Sequence, residues 1–266
     1  MFYFHGFPGS GVEACWGHGK ATAAGVRLIG LDRPGFGRSS FDAGRTILGW
    51  ADDVLAVADA LDMAQFSVLG MSGGAPYALA CAARLPERVT RAMIVSGLGP
   101  MPDGRVEPGM TLFNRAGLWL ARRKWAGWVL DAGRPVVGYV LRRHTGRVVA
   151  HLSHISGPRD REALELLGIG PVLEESFRRA VRAGAGGMVA EARLFAGFDG
   201  EWLDRVERPV HWYHGERDVI VPIVLARRAE AALPLCEVHE YPDEGHFSVL
   251  AHHLRDVFLC EPTARR

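Results

Sequence analysis

Three residues of this chain have the types and settings that nucleophilic chemistry needs: Ser72, Asp218 and His246. A serine hydroxyl is a poor nucleophile until a base takes its proton, and an imidazole serves as that base only when a third group orients it. Ser72 lies in Gly70-Met71-Ser72-Gly73-Gly74, directly after the apolar run Phe66–Met71 and directly before an alanine-rich run ending near Leu85-Pro86. So tight a strand-to-helix turn forces the serine into strained backbone. It also leaves no room for a Cβ two residues to either side, which is the reason for Gly70 and Gly74. The turn lifts the hydroxyl above the strand end and points a helix N-terminus at the same spot, where free amides and the dipole stabilise a developing anion. Asp218 falls in the loop after the apolar run Val210–Tyr213, and His246 in the loop after Glu237–Tyr241. The order is nucleophile, acid, base, each beyond its own strand, at the carboxyl ends where reactive groups gather in open α/β sheets. In that arrangement His246 takes the Ser72 proton and later protonates the leaving group, while Asp218 fixes the imidazole tautomer and offsets its charge. The chemistry calls for no cofactor and no metal ion.

The elements that must position these groups follow from hydrophobic periodicity. Phe2-Tyr3-Phe4 reads as a short strand running into the loop His5-Gly6-Phe7-Pro8-Gly9-Ser10. Val12–Ala24 reads as a helix closed by Gly25, and Val26–Leu31 as an apolar strand followed by the turn-rich loop Asp32–Ser40. Thr46–Leu61 has apolar residues at helical spacing; after the Ser72 turn and its helix, Arg91–Ser96 is another strand. Strand–helix alternation of this kind predicts an α/β fold, a mostly parallel sheet with helices on both faces. From about Gly97 the pattern changes: five helical stretches and no strand appear before Pro209. The α/β pattern then resumes with strands at Val210–Tyr213 and Glu237–Tyr241 and helices at Ile223–Leu233 and Ser248–Leu259. Residues 1–99 and 206–266 thus form one core domain, and 100–205 an inserted helical domain.

Composition bounds the function. The 266 residues suffice for one sizeable core with an insertion. A net charge of +1 gives no argument for nucleic acid. Cys15, Cys81, Cys236 and Cys260 stand far apart, in neither metal-ligand nor disulfide-framework spacing, and read as buried thiols in a reducing compartment. No basic n-region with a long apolar run opens the chain, and no run approaches the roughly 20 residues that span a bilayer. The expected location is cytoplasmic.

Taken together, His5-Gly6-Phe7-Pro8-Gly9, Asp32-Arg33-Pro34-Gly35-Phe36-Gly37-Arg38-Ser39, Gly70–Gly74, the Asp218 loop and Gly245-His246 resemble the α/β-hydrolase superfamily, in its serine esterase and peptidase-like branch with a helical cap. The resemblance implies an oxyanion hole from the main-chain N–H groups of Phe7 and Gly73, and side chains of Phe7 and Met71 facing a substrate pocket. It implies that residues 100–205 cap the site, with a small acyl compound, above all a carboxylic ester, as substrate. C–C bond hydrolysis, acyl transfer and cofactor-free perhydrolysis use the same triad, and a non-catalytic ligand receptor can keep the fold. Haloalkane dehalogenases and epoxide hydrolases resemble the other motifs but carry aspartate as nucleophile, so Ser72 excludes their chemistry. His5, Asp32 and Arg33 are read as braces for the loops at the sheet top. Members of the superfamily usually have two antiparallel strands before the strand that leads into His-Gly. Here about three residues stand in their place, so either the sequence is truncated at its start or the sheet lacks those strands. In the second case Val26–Leu31 becomes an open edge that calls for covering or for pairing in a homodimer.

The insertion carries a charge run. Between Arg115 and Arg147 eight basic residues face one acid, Asp131, a net +7 that leaves the rest of the chain near −6. Trp119, Trp125 and Trp128 sit among them. The expectation is a cap whose aromatics pack on the pocket and whose arginines face water, with no membrane partner. The alternative is a surface for an anionic substrate or a membrane.

Overall fold

The computed structural model describes residues 1–102 and 107–259. Among these residues six strands form one sheet: β1 (Phe2–Phe4), β2 (Ile29–Leu31), β3 (Phe66–Met71), β4 (Val89–Val95), β5 (Val210–Gly215) and β6 (Cys236–Tyr241). Their order is β2-β1-β3-β4-β5-β6, and every pairing is parallel. This is the predicted α/β architecture, and β2 is an edge strand.

The period of two along each strand sorts side chains to two cores. Phe2, Phe4, Val68, Ile94 and Trp212 face one side, packed by helices α2 (Trp50–Ala60), α3 (Ala75–Arg84) and α10 (Val224–Ala232). Tyr3, Leu69, Met93, Val95 and Tyr213 face the other, packed by α1 (His18–Ala23) and α11 (Ser248–Leu259). Sequence neighbours thus go to opposite layers, which explains why strands such as Val68-Leu69 are apolar without alternation. From β1 the chain crosses to β2 on one side, then returns to place β3 on the other. The loops after β1 and β3 therefore diverge at a topological switch point, the crevice where open α/β sheets bind ligands.

Between β4 and β5 the described residues form six α-helices: α4 (Leu112–Ala121), α5 (Gly127–Arg143), α6 (Thr145–Ile155), α7 (Pro158–Glu165), α8 (Ile169–Ala180) and α9 (Gly186–Ala196). Several bounds differ from the periodicity reading. The helix read over 12–24 is a 3-10 turn, Gly11–Gly17, before the short α1. There Gly11 meets the backbone of Gly30 so closely that a Cβ would lie 2.9 Å from its carbonyl. The long helix read over 112–130 breaks after α4, and α5 instead runs through Pro135. A proline inside a helix orphans a carbonyl one turn back; that of Asp131 accepts from Arg134 Nε at 3.3 Å. The thiols also differ from expectation: Cys81 is buried, but Cys15 is exposed and Cys236 half-buried, while Cys260 lies outside the described residues.

The inserted helices are tied to the sheet by a buried charge pair. Arg33, in the loop after β2, donates from Nε and from a terminal nitrogen to Glu191 of α9, both at 2.8 Å. Both side chains are fully buried. Glu191 also accepts from the Tyr77 hydroxyl at 2.8 Å and from Arg45 at 3.3 Å. Removing one partner leaves an uncompensated buried charge, so Glu191→Ala should lower the unfolding free energy by about 3–5 kcal/mol. Breaking the exposed Arg227–Glu240 pair with Glu240→Ala should cost less than about 1 kcal/mol. Urea titrations of both variants against wild type check this; equal effects would contradict the role given to Glu191.

Candidate active site

The turn after β3 has the strain its sequence predicts. Ser72 sits at φ +53°, in the left-handed region that a side chain rarely adopts. A Cβ on Gly70 would lie 2.6 Å from the carbonyl oxygen of Gly74, and one on Gly74 would lie 2.1 Å from that of Phe4. Both glycines are there because backbone crosses backbone. In register, Phe4 pairs with Gly70, so the loops after β1 and β3 leave the sheet level with each other. They meet: a Cβ on Gly73 would lie 2.9 Å from the Phe7 Cβ, and one on Gly6 would lie 3.6 Å from that of Ser72. The two residues expected to supply oxyanion N–H groups are thus neighbours beside the serine.

Asp218 and His246 come together from loops after β5 and β6. His246 Nδ1 and Asp218 Oδ2 are 2.7 Å apart, both side chains buried. The other oxygen, Oδ1, accepts from the N–H groups of Ile220 and Val221, each at 2.8 Å. His214 Nδ1 accepts from Trp212 Nε1 at 3.1 Å, so its proton is on Nε2. That proton points at the Val221 carbonyl at 2.8 Å, with Asp218 Oδ2 3.4 Å away. Burial would raise the Asp218 pKa, but the charge and hydrogen bond of His246 and the hydrogen bond from His214 hold it at about 2. Burial would likewise lower the His246 pKa, and the Asp218 carboxylate instead holds it above its ordinary value. An ionised acid and an imidazole made more basic are the right electrostatic state for a general base. Among the described residues the Ser72 hydroxyl and His246 share no hydrogen bond; they are linked through the segment after β4. Its Leu98 N–H donates to the Ser72 carbonyl at 2.9 Å, and its Ser96 hydroxyl to the His246 carbonyl at 2.8 Å.

Three positioning groups were not found from the sequence. Asp160, on α7, accepts from the N–H groups of His246, Phe247 and Ser248 at 2.8, 2.8 and 2.9 Å. It caps α11 from outside that helix and so fixes the loop that carries the base. Glu13, in the 3-10 turn, accepts from the Gly6 N–H and the Ser176 hydroxyl, each at 2.8 Å. Burial pushes its carboxyl up to about 7 against those hydrogen bonds. Glu191 acts through Arg33, whose terminal nitrogens donate to the carbonyls of His5 and Gly6 at 2.5 and 3.0 Å. In sequence these acids look like ordinary helix-surface carboxylates, and no local signal marks their burial. His5 and Arg33 brace the loop as expected; Asp32 does the same, accepting from Gly11 N–H at 2.7 Å and Arg38 N–H at 3.0 Å. Met71 is buried in the core with Leu69 and Met93, while Phe7 packs edge-on against Phe195 of α9, centroids 5.4 Å apart.

Two other features lie apart from this cluster. A cavity of about 370 Å³ opens between Gly35, Phe41, Arg134, Arg142 and Gly186, and none of Ser72, Asp218 and His246 lines it. His211, Glu237 and His239 form the one group among the described residues with metal-ligand chemistry, their ligand atoms within 4.8 Å. The Glu237 oxygens are 3.8 Å from His211 and 4.0 Å from His239. Donors sharing a zinc at about 2.0–2.1 Å sit closer than that. The group starts at the amino ends of β5 and β6, away from Asp218 and His246.

Comparison with known proteins agrees with this architecture. Residues 1–252 match the family described as alpha/beta hydrolase fold. The chain belongs to that family. It is 29% identical to the pimeloyl-[acyl-carrier protein] methyl ester esterase of Aromatoleum aromaticum over 91% of its length and 89% of the relative's. A match to the 2-hydroxymuconate semialdehyde hydrolase of Pseudomonas sp. (strain CF600) is 35% identical but spans 39% of each chain. Among solved structures, a thermophilic esterase from Thermogutta terrifontis superposes with a TM-score of 0.67 at 20% identity, covering 96% of this chain and 85% of the other. An esterase from Exiguobacterium antarcticum gives 0.68 at 18%, covering 96% and 88%. The family match and the hydrolase-named relatives support a hydrolase; the structural likenesses show the fold.

The two shifted pKa values fix a stability profile. Asp218 is depressed, so its contribution is full above its ordinary value of 3.8 and fades as pH falls toward about 2. His246 is raised, so its contribution is full below 6.5 and fades as pH climbs through the raised value. The stability lost in Asp218→Asn should therefore be greatest between about pH 4 and 6.5 and shrink on both sides. Urea midpoints across pH check this, and a difference independent of pH would refute it.

Proposed function

We propose that this protein is a serine hydrolase that cleaves a carboxylic ester or related acyl compound through an acyl-enzyme on Ser72. The observation that carries the reading is the strained Ser72, beside the Phe7 and Gly73 backbone, in the same molecule as a buried Asp218–His246 pair joined at 2.7 Å. In this reading His246 Nε2 removes the hydroxyl proton as Ser72 Oγ attacks the acyl carbon. The N–H groups of Phe7 and Gly73 receive the oxyanion. His246 then protonates the leaving oxygen, and a water activated by the same imidazole releases the acid. Asp218 stays ionised throughout. The inserted helices serve as the cap, and the aromatic pair Phe7 and Phe195 forms the wall that excludes water and meets the apolar part of the substrate. The esterase relative and the esterases of the same fold support this reading. No metal or cofactor enters it.

A fluorophosphonate probe should label Ser72 covalently, and Ser72→Ala should abolish labelling. Adduct on Ser96 instead would overturn the assignment. Turnover of a panel of acyl esters, amides and thioesters should fall by about 10⁴-fold in Ser72→Ala and in His246→Ala, with the double variant little worse. Asp160→Asn should lower kcat and move the acid limb of the kcat/KM profile to lower pH, because the Asp160 charge helps to raise the His246 pKa. An unmoved limb would reduce Asp160 to a purely structural cap.

A further inference from the structure

The aromatics of the basic insertion point outward. Trp119, Trp125 and Trp128 are 48, 60 and 71% exposed, although the expectation placed them against the pocket. They continue into a stripe along α5: Trp128, Ala132, Val136, Tyr139 and Arg143 follow at steps of four, four, three and four residues, and all are exposed. Such steps keep side chains on one face of a helix. That helix is about 25 Å long. Val136 is 65% and Tyr139 55% exposed, while Gly138 and Leu141 on the opposite side are buried. Trp119 and Trp125 touch edge to face at 6.3 Å, which joins the end of α4 to the stripe. An apolar face of this extent exposed to water marks an interaction surface.

The charges that flank it in the chain are basic except for one acid. Arg122 and Arg123 precede the stripe, Arg142 and Arg143 end it, and all four are exposed, Arg122 also donating to the Ala196 carbonyl at 3.1 Å and Arg142 to that of Val181 at 3.4 Å. Arg123 lies over the Trp119 ring at 4.8 Å. Asp131, the single acid between Arg115 and Arg147, is already engaged by Arg134 at 3.5 Å and Arg193 at 3.6 Å. Indoles with an apolar body and a polar N–H, flanked by arginines, are the composition of a helix lying in a membrane interface. A second copy of the chain fits worse, because a two-fold contact through this face would set the same arginines against each other. Among the described residues no helix is long and apolar enough to cross a bilayer, so the contact would be peripheral.

We propose that the face formed by α4 and α5 docks on an anionic lipid surface, the tryptophans entering the interface and the arginines meeting lipid phosphates. The inference does not depend on the chemistry assigned to Ser72. It is tested by sedimentation of the full chain with vesicles of phosphatidylcholine alone and of phosphatidylcholine containing about one quarter phosphatidylglycerol. Wild type should bind the anionic vesicles alone, with a blue shift of tryptophan emission. Binding should fall steeply as salt shortens the Debye length from about 10 Å at 0.1 M to about 3 Å at 1 M. Arg123→Glu with Arg143→Glu should weaken partitioning by at least about 25-fold, from roughly fivefold per basic residue. Trp125→Ala with Trp128→Ala should remove the blue shift while both variants keep the circular dichroism and thermal midpoint of wild type. Wild type that ignores anionic vesicles overturns the proposal. So does self-association, seen by analytical ultracentrifugation and lost in the tryptophan variant, without vesicle binding. A loss of kcat/KM confined to anionic soluble substrates, again without vesicle binding, would overturn it in favour of arginines at the mouth of the pocket.

Discussion

The constraint on which the rest of this structure depends is the crossing of the β3–α3 turn over the end of β1. The carbonyl oxygen of Phe4 occupies the space a Cβ on Gly74 would fill, at 2.1 Å. That closeness makes the turn tight, holds Ser72 at positive φ and brings Gly73 against Phe7. Strain at one residue is stable only because the surroundings over-determine it. Here they do so through six parallel strands, with the ladder from Phe4 to Gly70 directly beneath the turn. The switch in strand order places the crossing where two loops part, so Ser72, the proposed nucleophile, and the proposed anion-binding amides share one crevice.

Around that crossing, buried acids do the fastening. Glu191 ties α9 to Arg33 and through it to the carbonyls of His5 and Gly6. Glu13 joins the Gly6 N–H to Ser176 of α8, and Asp160 on α7 holds the backbone of His246. Each contact runs between the inserted helices and a loop that carries site residues. A neutral packing contact tolerates sliding; a carboxylate holding two or three N–H groups does not, because each donor left unmet in a buried place costs its full desolvation. The inserted helices are therefore part of what positions the loops, and a change in their packing reaches His246 through Asp160.

The outer side of the same insertion obeys different physics. Its inner side chains are held by ion pairs and aromatic contacts such as Phe7–Phe195, while Trp125 and Trp128 face water. Exposed indoles are costly unless something covers them, and arginine is the residue that meets phosphate with directed hydrogen bonds. One segment thus has two sides, with Phe195 of α9 against Gly73 and with Trp128, Val136 and Tyr139 of α5 exposed.

The sequence by itself determined the parallel α/β core, the turn at Ser72 and the order of serine, aspartate and histidine. These depend on local rules: apolar runs of strand length, glycines where backbone approaches backbone, and loops that follow strands. The period of two in Phe2-Tyr3-Phe4 already dictates two cores, although which helix covers which face does not follow from it. Only the tertiary structure decided the roles of Glu13, Asp160 and Glu191, because what a carboxylate does when buried depends on partners up to 163 residues away, as between Glu13 and Ser176. It also decided the direction of the tryptophans. Helical spacing says that Trp128, Val136 and Tyr139 share a face, and only packing says that Gly138 and Leu141 face inward in their place. Periodicity fixes relative orientation within a helix; the contacts that choose which side is inside come from elements distant in the chain.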